Sequence, residues 1–120
     1  MNILIIEDEQ YHLEGIKHTI AKGFPQYHVY TAASAQEAIK YLKDNDIQIA
    51  VTNISMRDMN GLEFISRYKL EYPSVKWLIM SASSEFYYVR EAIRLGVKAY
   101  MLKPVVKSEL EKTIKVLVNE

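Results

Sequence analysis

Three carboxylates in a row, Glu7, Asp8 and Glu9, follow at once on the short apolar run Ile3 to Ile6. Thr52, Asn53, Ile54 and Ser55 follow a second such run, Ser81, Ala82 and Ser83 a third, and Lys103 and Pro104 a fourth. A loop with three acids and no glycine repels a bare phosphate and tolerates one only beside a divalent cation. Hard oxygen ligands of this kind suit Mg²⁺ or Mn²⁺, and an incomplete cage leaves room for waters and a phosphoryl oxygen. A lysine placed opposite supplies a point charge to the same phosphoryl group. The Ser81 hydroxyl can hydrogen-bond another of its oxygens. Such chemistry requires one fold to gather these residues on one rim.

The apolar patterning supplies that fold. Short runs at Ile3–Ile6, His28–Tyr30, Ile47–Val51, Trp77–Met80 and Ala99–Leu102 alternate with segments at helical spacing. The nearly continuous Ile, Leu, Val and Met runs suit parallel strands covered on both faces. Leu13, Ile16 and Ile20 space the first helix, and Ala35, Ala38, Ile39 and Leu42 the second. Leu62, Ile65 and Tyr68 space the third, Val89, Ala92 and Ile93 the fourth, and Leu110, Ile114 and Leu117 the fifth. Ser34 with Glu37 and Ser108 with Glu111 read as capping boxes. Gly96 reads as a left-handed helix terminus, and Pro73 as the end of the third helix. Strict alternation predicts an α/β fold, a doubly wound five-stranded parallel sheet flanked by five helices. In such sheets function gathers at the carboxyl ends of the strands, which is where all the residues above lie.

Composition narrows the classes. At 120 residues the chain is the size of one domain, so residues 1–120 are read as a single unit. Fifteen Lys and Arg balance fifteen Asp and Glu, which argues against direct nucleic-acid binding or attachment to an anionic membrane through bulk charge. Without cysteine there is no thiolate metal site, disulfide or Cys nucleophile, in keeping with a cytoplasmic location. No apolar run approaches the roughly 18 residues of a membrane helix. The four glycines form neither a dinucleotide fingerprint nor a phosphate-binding loop. The hydroxyl-rich loop of a flavin carrier is also missing. His12, His18 and His28 have no ligand spacing and read as surface residues, as does Glu9. Tyr87 and Tyr88 are adjacent on a helix and cannot both face the core.

Four motifs then carry a resemblance. Ile-Ile-Glu-Asp-Glu at 5–9, Asn-Ile-Ser-Met-Arg-Asp-Met-Asn-Gly-Leu-Glu at 53–63, Met-Ser-Ala at 80–82 and Tyr-Met-Leu-Lys-Pro-Val at 100–105 stand in order at the strand ends. Together they resemble the receiver (CheY-like) domain of two-component response regulators, from Ile3 to about Val118. The text around Ser84-Glu85-Phe86 and Lys103-Pro104-Val105 is most similar to receivers attached to AraC-type DNA-binding domains. The resemblance implies a flavodoxin-like strand order of 2-1-3-4-5. It implies Mg²⁺ held by Asp8 directly, by Glu7 through water, by the residue at 53 and by the backbone carbonyl of Ser55. It makes Ser81 the switch hydroxyl, Tyr100 the switch aromatic, Lys103 the site lysine, and Lys103–Pro104 a cis peptide. It also implies a sensor histidine kinase as phosphodonor. The output face would be made by the fourth helix, fifth strand and fifth helix, open to homodimerisation or to an attached effector.

Position 53 departs from the family pattern: Asn stands where the family has the phosphoacceptor Asp. An amide is neutral, its nitrogen lone pair is delocalised, and its oxygen is a poor nucleophile. Glu7, Asp8 and Lys103 sum to −1, where a further carboxylate would make −2. Mg²⁺ is therefore expected to bind weakly and phosphorylation at 53 to fail. Arg57, where the family usually has Pro, is a second departure. Three readings of Asn53 stand side by side: a natural receiver blind to phosphorylation, an engineered replacement of a natural Asp, and phosphorylation moved to Asp58 or Asp8. The competing enzymatic reading, a live receiver catalysing its own phosphoryl transfer, needs a carboxylate at 53.

Overall fold

Within Asn2–Ile6 (β1) consecutive side chains leave on opposite faces, as in any strand. Ile3 and Ile5 enter one core while Leu4 and Ile6 enter the other, all four fully buried. That two-sided burial is why this strand is apolar without alternation. The computed structural model describes residues 1–120 and places β1 inside a five-stranded parallel sheet. The other strands are His28–Ala32 (β2), Ile49–Asn53 (β3), Lys76–Ser81 (β4) and Ala99–Leu102 (β5), in the order β2-β1-β3-β4-β5. The helices are Gln10–Gly23 (α1), Ala35–Asp44 (α2), Gly61–Tyr68 (α3), Phe86–Arg94 (α4) and Lys107–Val118 (α5).

Two cores sandwich the sheet. On one face Leu13, Ile16 and Ile20 of α1 and Leu110, Ile114 and Leu117 of α5 pack on Ile3, Ile5, Val51, Leu78 and Met80. On the other, α2, α3 and α4 deliver Ala38, Leu42, Phe64, Ile65 and Ala92 onto Leu4, Ile6, Ala50 and Ile79. The chain order reverses direction between β1 and β3, so a crevice opens above their carboxyl ends.

The helix signals divide. Ser34 caps α2, accepting a hydrogen bond from Glu37 N–H, and Gly96 has φ of 81° after α4. Ser108 caps nothing, because α5 begins at Lys107 and its N-cap is Val106. The third helix ends at Tyr68, five residues before Pro73. In α4 the buried side is Ala92 with half-buried Tyr88 and Leu95, so Ile93 lies outside, 73% exposed. Tyr87 is exposed while Tyr88 packs on the core. No helix is long and apolar enough to cross a membrane.

Candidate functional site

The polar rim begins inside β3 and β4, which run past the ends of their apolar runs. Thr52 and Asn53 still belong to β3, and Ser81 still belongs to β4, because backbone pairing continues through Asn53–Met80 and Ser81–Leu102. Strand ends therefore hold Asn53 and Ser81 rigidly, and both are buried.

Glu7 is the centre of the rim. It follows β1, its amide donates to Ala32 O at 2.9 Å, and its side chain is fully buried. Oε1 accepts Lys103 Nζ at 2.6 Å and lies 2.6 Å from His12 Nδ1. Oε2 accepts Asn53 Nδ2 at 3.0 Å and the Glu9 N–H at 3.3 Å. Burial alone pushes the Glu7 carboxyl pKa up, but the hydrogen bonds from Lys103 and His12, with the lysine's charge, hold it below its ordinary value. A buried carboxylate with donors on both oxygens is chemically satisfied.

Asn53 uses its amide in one direction. Nδ2 donates to Glu7 Oε2 at 3.0 Å and to the Ser55 carbonyl at 2.9 Å. Ser81 and Tyr100 act together on the loop after β4. Ser81 Oγ accepts the Ser83 N–H at 3.0 Å, and the Tyr100 hydroxyl donates to the Ser83 carbonyl at 2.6 Å. Ser83 is thus gripped from both sides of its residue, and its own hydroxyl accepts the Glu85 N–H at 3.1 Å ahead of α4. The Lys103–Pro104 peptide is cis.

Of the residues singled out in the sequence, Glu7, Asn53, Ser55 and Lys103 therefore meet in one hydrogen-bonded cluster, while Ser81 and Tyr100 meet at Ser83. Asp8 makes no hydrogen bond to that cluster; it is half-buried and lines a hollow with Arg57 and Asp58. None of the chain's ion pairs includes Asp8 or Arg57. Sequence reasoning missed His12. It is not a plain surface residue but a partner of the buried Glu7, in the first turn of α1. Its position five residues after Glu7, at the start of a helix springing from the same loop, was the available signal. Glu9 is exposed yet structural: its carboxylate accepts the N–H groups of Tyr11 and His12 and caps α1.

Asp58 is also committed. Its two carboxylate oxygens accept the N–H groups of Ala35 and Gln36 at 3.1 and 3.0 Å, so the loop after β3 caps α2 alongside Ser34. The partial desolvation of Asp58 raises its pKa, and those amide hydrogen bonds outweigh it and lower the value overall. Its contribution to stability is therefore full above the unfolded carboxyl pKa and fades as pH falls through the lower folded value. Asp58→Ala is expected to cost about 1 kcal/mol at pH 7, read by urea denaturation, with the difference from wild type shrinking in acid.

Fit to a divalent cation can be judged from the donors. Two of the four expected positions, Glu7 and the Ser55 carbonyl, are joined by N–H bonds from a third, Asn53. An N–H donor cannot face a cation. Presenting Oδ1 to a cation instead would require turning the amide over, with loss of both hydrogen bonds. As arranged, the site does not fit Mg²⁺.

Comparison with known proteins agrees with the strand order and with the placing of the rim at the strand ends. The family model for the response regulator receiver domain matches residues 3–115. A transcriptional regulatory protein YesN of Bacillus subtilis is 29% identical over 98% of this chain, and HptR of Staphylococcus aureus is 31% identical over 91% of it. The chain spans only 32% and 43% of those two relatives. Among solved structures, the receiver domain protein (CheY-like) of Methanospirillum hungatei is 25% identical with a TM-score of 0.90, covering 98% of this chain and 93% of that one. The signal receiver domain of a DNA-binding response regulator from Colwellia psychrerythraea shares the fold, with a TM-score of 0.94 at 24% identity over 100% of this chain and 99% of that one. Receiver domains are signalling modules that generally bind Mg²⁺ at this acidic pocket and interact with histidine kinases and output domains. By its strand order, its rim and its match along nearly the whole sequence, the chain belongs to the response regulator receiver domain family.

Proposed function

We propose that this chain is a receiver module that does not take a phosphoryl group at position 53 and acts through protein contacts alone. The observation that carries the reading is Asn53 itself, buried at the phosphoacceptor position with its amide bonded to Glu7 and Ser55. A neutral amide offers no nucleophilic oxygen to phosphorus. Lys103 and Ser81, which in a live site would serve the phosphoryl group, are turned to Glu7 and to Ser83. Transfer of the acceptor role to Asp58 is disfavoured, because both its oxygens are spent on capping α2.

The output is the α4–β5–α5 face. It exposes Phe86 and Ile93 on α4, Leu102 on β5 and Val116 on α5, which suits contact with an effector or a second copy. The whole protein works in the cytoplasm, with residues 1–120 as the receiver and an AraC-type DNA-binding domain as effector. Similarity to the transcriptional regulatory protein HptR supports a transcriptional output. This module does not itself touch DNA, in line with its balance of fifteen cationic and fifteen acidic residues. A histidine kinase would be a phosphodonor only to a form with a carboxylate at position 53. Incubation with acetyl phosphate and Mg²⁺ tests the reading: the chain is expected to gain no mass, and Asn53→Asp to gain about 80 Da.

A further inference from the structure

We infer that the rim of this chain is closed by its own side chains in a metal-free form, the Asn53 amide bridging Glu7 and Ser55 where receivers hold a cation. The inference rests on the module reading above and adds the reason that the site is silent. Loss of one negative charge would merely weaken a cation site. The amide bridge instead removes it, because the Ser55 carbonyl and Glu7 Oε2 both receive the same N–H₂ group. Glu7 Oε1 is taken as well, by Lys103 and His12 at 2.6 Å each. Four donors, Lys103, His12, Asn53 and the Glu9 N–H, thus surround one buried carboxylate, while Asp8 makes no ion pair. A cation entering here would have to rotate the Asn53 amide, break two hydrogen bonds and compete with an ammonium for Glu7.

Charge and bridge make opposite predictions for Asn53→Ala. Alanine restores no charge but removes the bridging donor, freeing the Ser55 carbonyl and leaving Glu7 Oε2 with only the Glu9 N–H. Mg²⁺ and, separately, Mn²⁺ are titrated by calorimetry into the chain, Asn53→Ala and Asn53→Asp, with thermal unfolding followed in parallel. The chain is expected to show no saturable heat up to about 10 mM and an unmoved midpoint, whereas Asn53→Ala binds at least about tenfold more tightly than the chain and Asn53→Asp more tightly still. Saturable binding by the chain within threefold of Asn53→Asp would overturn the inference, and so would an Asn53→Ala variant as unresponsive as the chain. Should a variant not fold, the chain's own titration decides, since saturable Mg²⁺ binding in the low millimolar range contradicts the bridge. A chain that binds Mg²⁺ yet gains no phosphoryl mass would sink this inference alone and leave the module reading standing.

Discussion

Lys103→Met is expected to lower the unfolding free energy at pH 7 by about 2–4 kcal/mol, the largest effect of any single change at the rim. Glu7 is fully buried, and Lys103 sets its Nζ 2.6 Å from Glu7 Oε1. Methionine fills similar space and leaves the carboxylate with His12, Asn53 and one backbone amide. A fifth of the lysine side chain remains exposed, so solvent already screens part of the pair and the loss stays below that of a wholly buried ion pair. The pH dependence has a definite sign. In the folded chain Glu7 titrates below its ordinary value of 4.5, so its contribution is full above that value and is lost as pH falls through the folded one. Without Lys103 the burial that raises the pKa is less opposed, and acid unfolding should begin at higher pH. Urea denaturation at pH 7 and pH 5 checks both statements. A variant with wild-type stability at both would show that Glu7 does not depend on the lysine.

Gly61→Ala is expected to destabilise the fold by about 1–3 kcal/mol and to disturb the rim at the same time. A Cβ at Gly61 would collide with the Asn53 carbonyl oxygen and lie 3.0 Å from Ile54 Cα, both backbone atoms where the strand that carries the site ends. Neither can rotate away as a side chain tip would. Gly61 N–H also donates to Ile54 O at 2.7 Å, which draws the start of α3 onto the end of β3. The alanine must therefore push α3 off β3 or shift Asn53 from Glu7. Thermal unfolding gives the first effect, and loss of the Asn53 side-chain amide shifts in an NMR spectrum gives the second. Unchanged values in both would mean that the close approach has no consequence.

These two positions also mark how far the sequence can be read. The parallel sheet was legible because two-sided burial leaves β1 and β4 almost free of polar residues, while the strand order followed from the resemblance that the strand-end motifs carry. The rim was legible as a set of types at strand ends, and Glu7, Asn53, Ser55 and Lys103 do converge. What one dimension hides is which partner each group chooses. His12 pairs with Glu7 only because α1 leaves the same loop at the right angle, a fact with no periodic trace. Asp58 looked like a spare acid, yet the loop after β3 folds it onto the amino end of α2. Ile93 fitted a helical stripe, but the side of α4 and its C-terminal end that packs on the core is Tyr88, Ala92 and Leu95. Ser108 had the spacing of a capping box, whereas α5 starts one residue before it.

The measurement that bears most directly on the central claim is the intact mass of the chain and of Asn53→Asp after acetyl phosphate with Mg²⁺, followed by peptide mapping of any modified species. The account predicts an unchanged mass for the chain and a gain of about 80 Da for Asn53→Asp, mapped to position 53. A gain of that size in the Asn53 chain itself, mapped to Asp58 or Asp8, would contradict it.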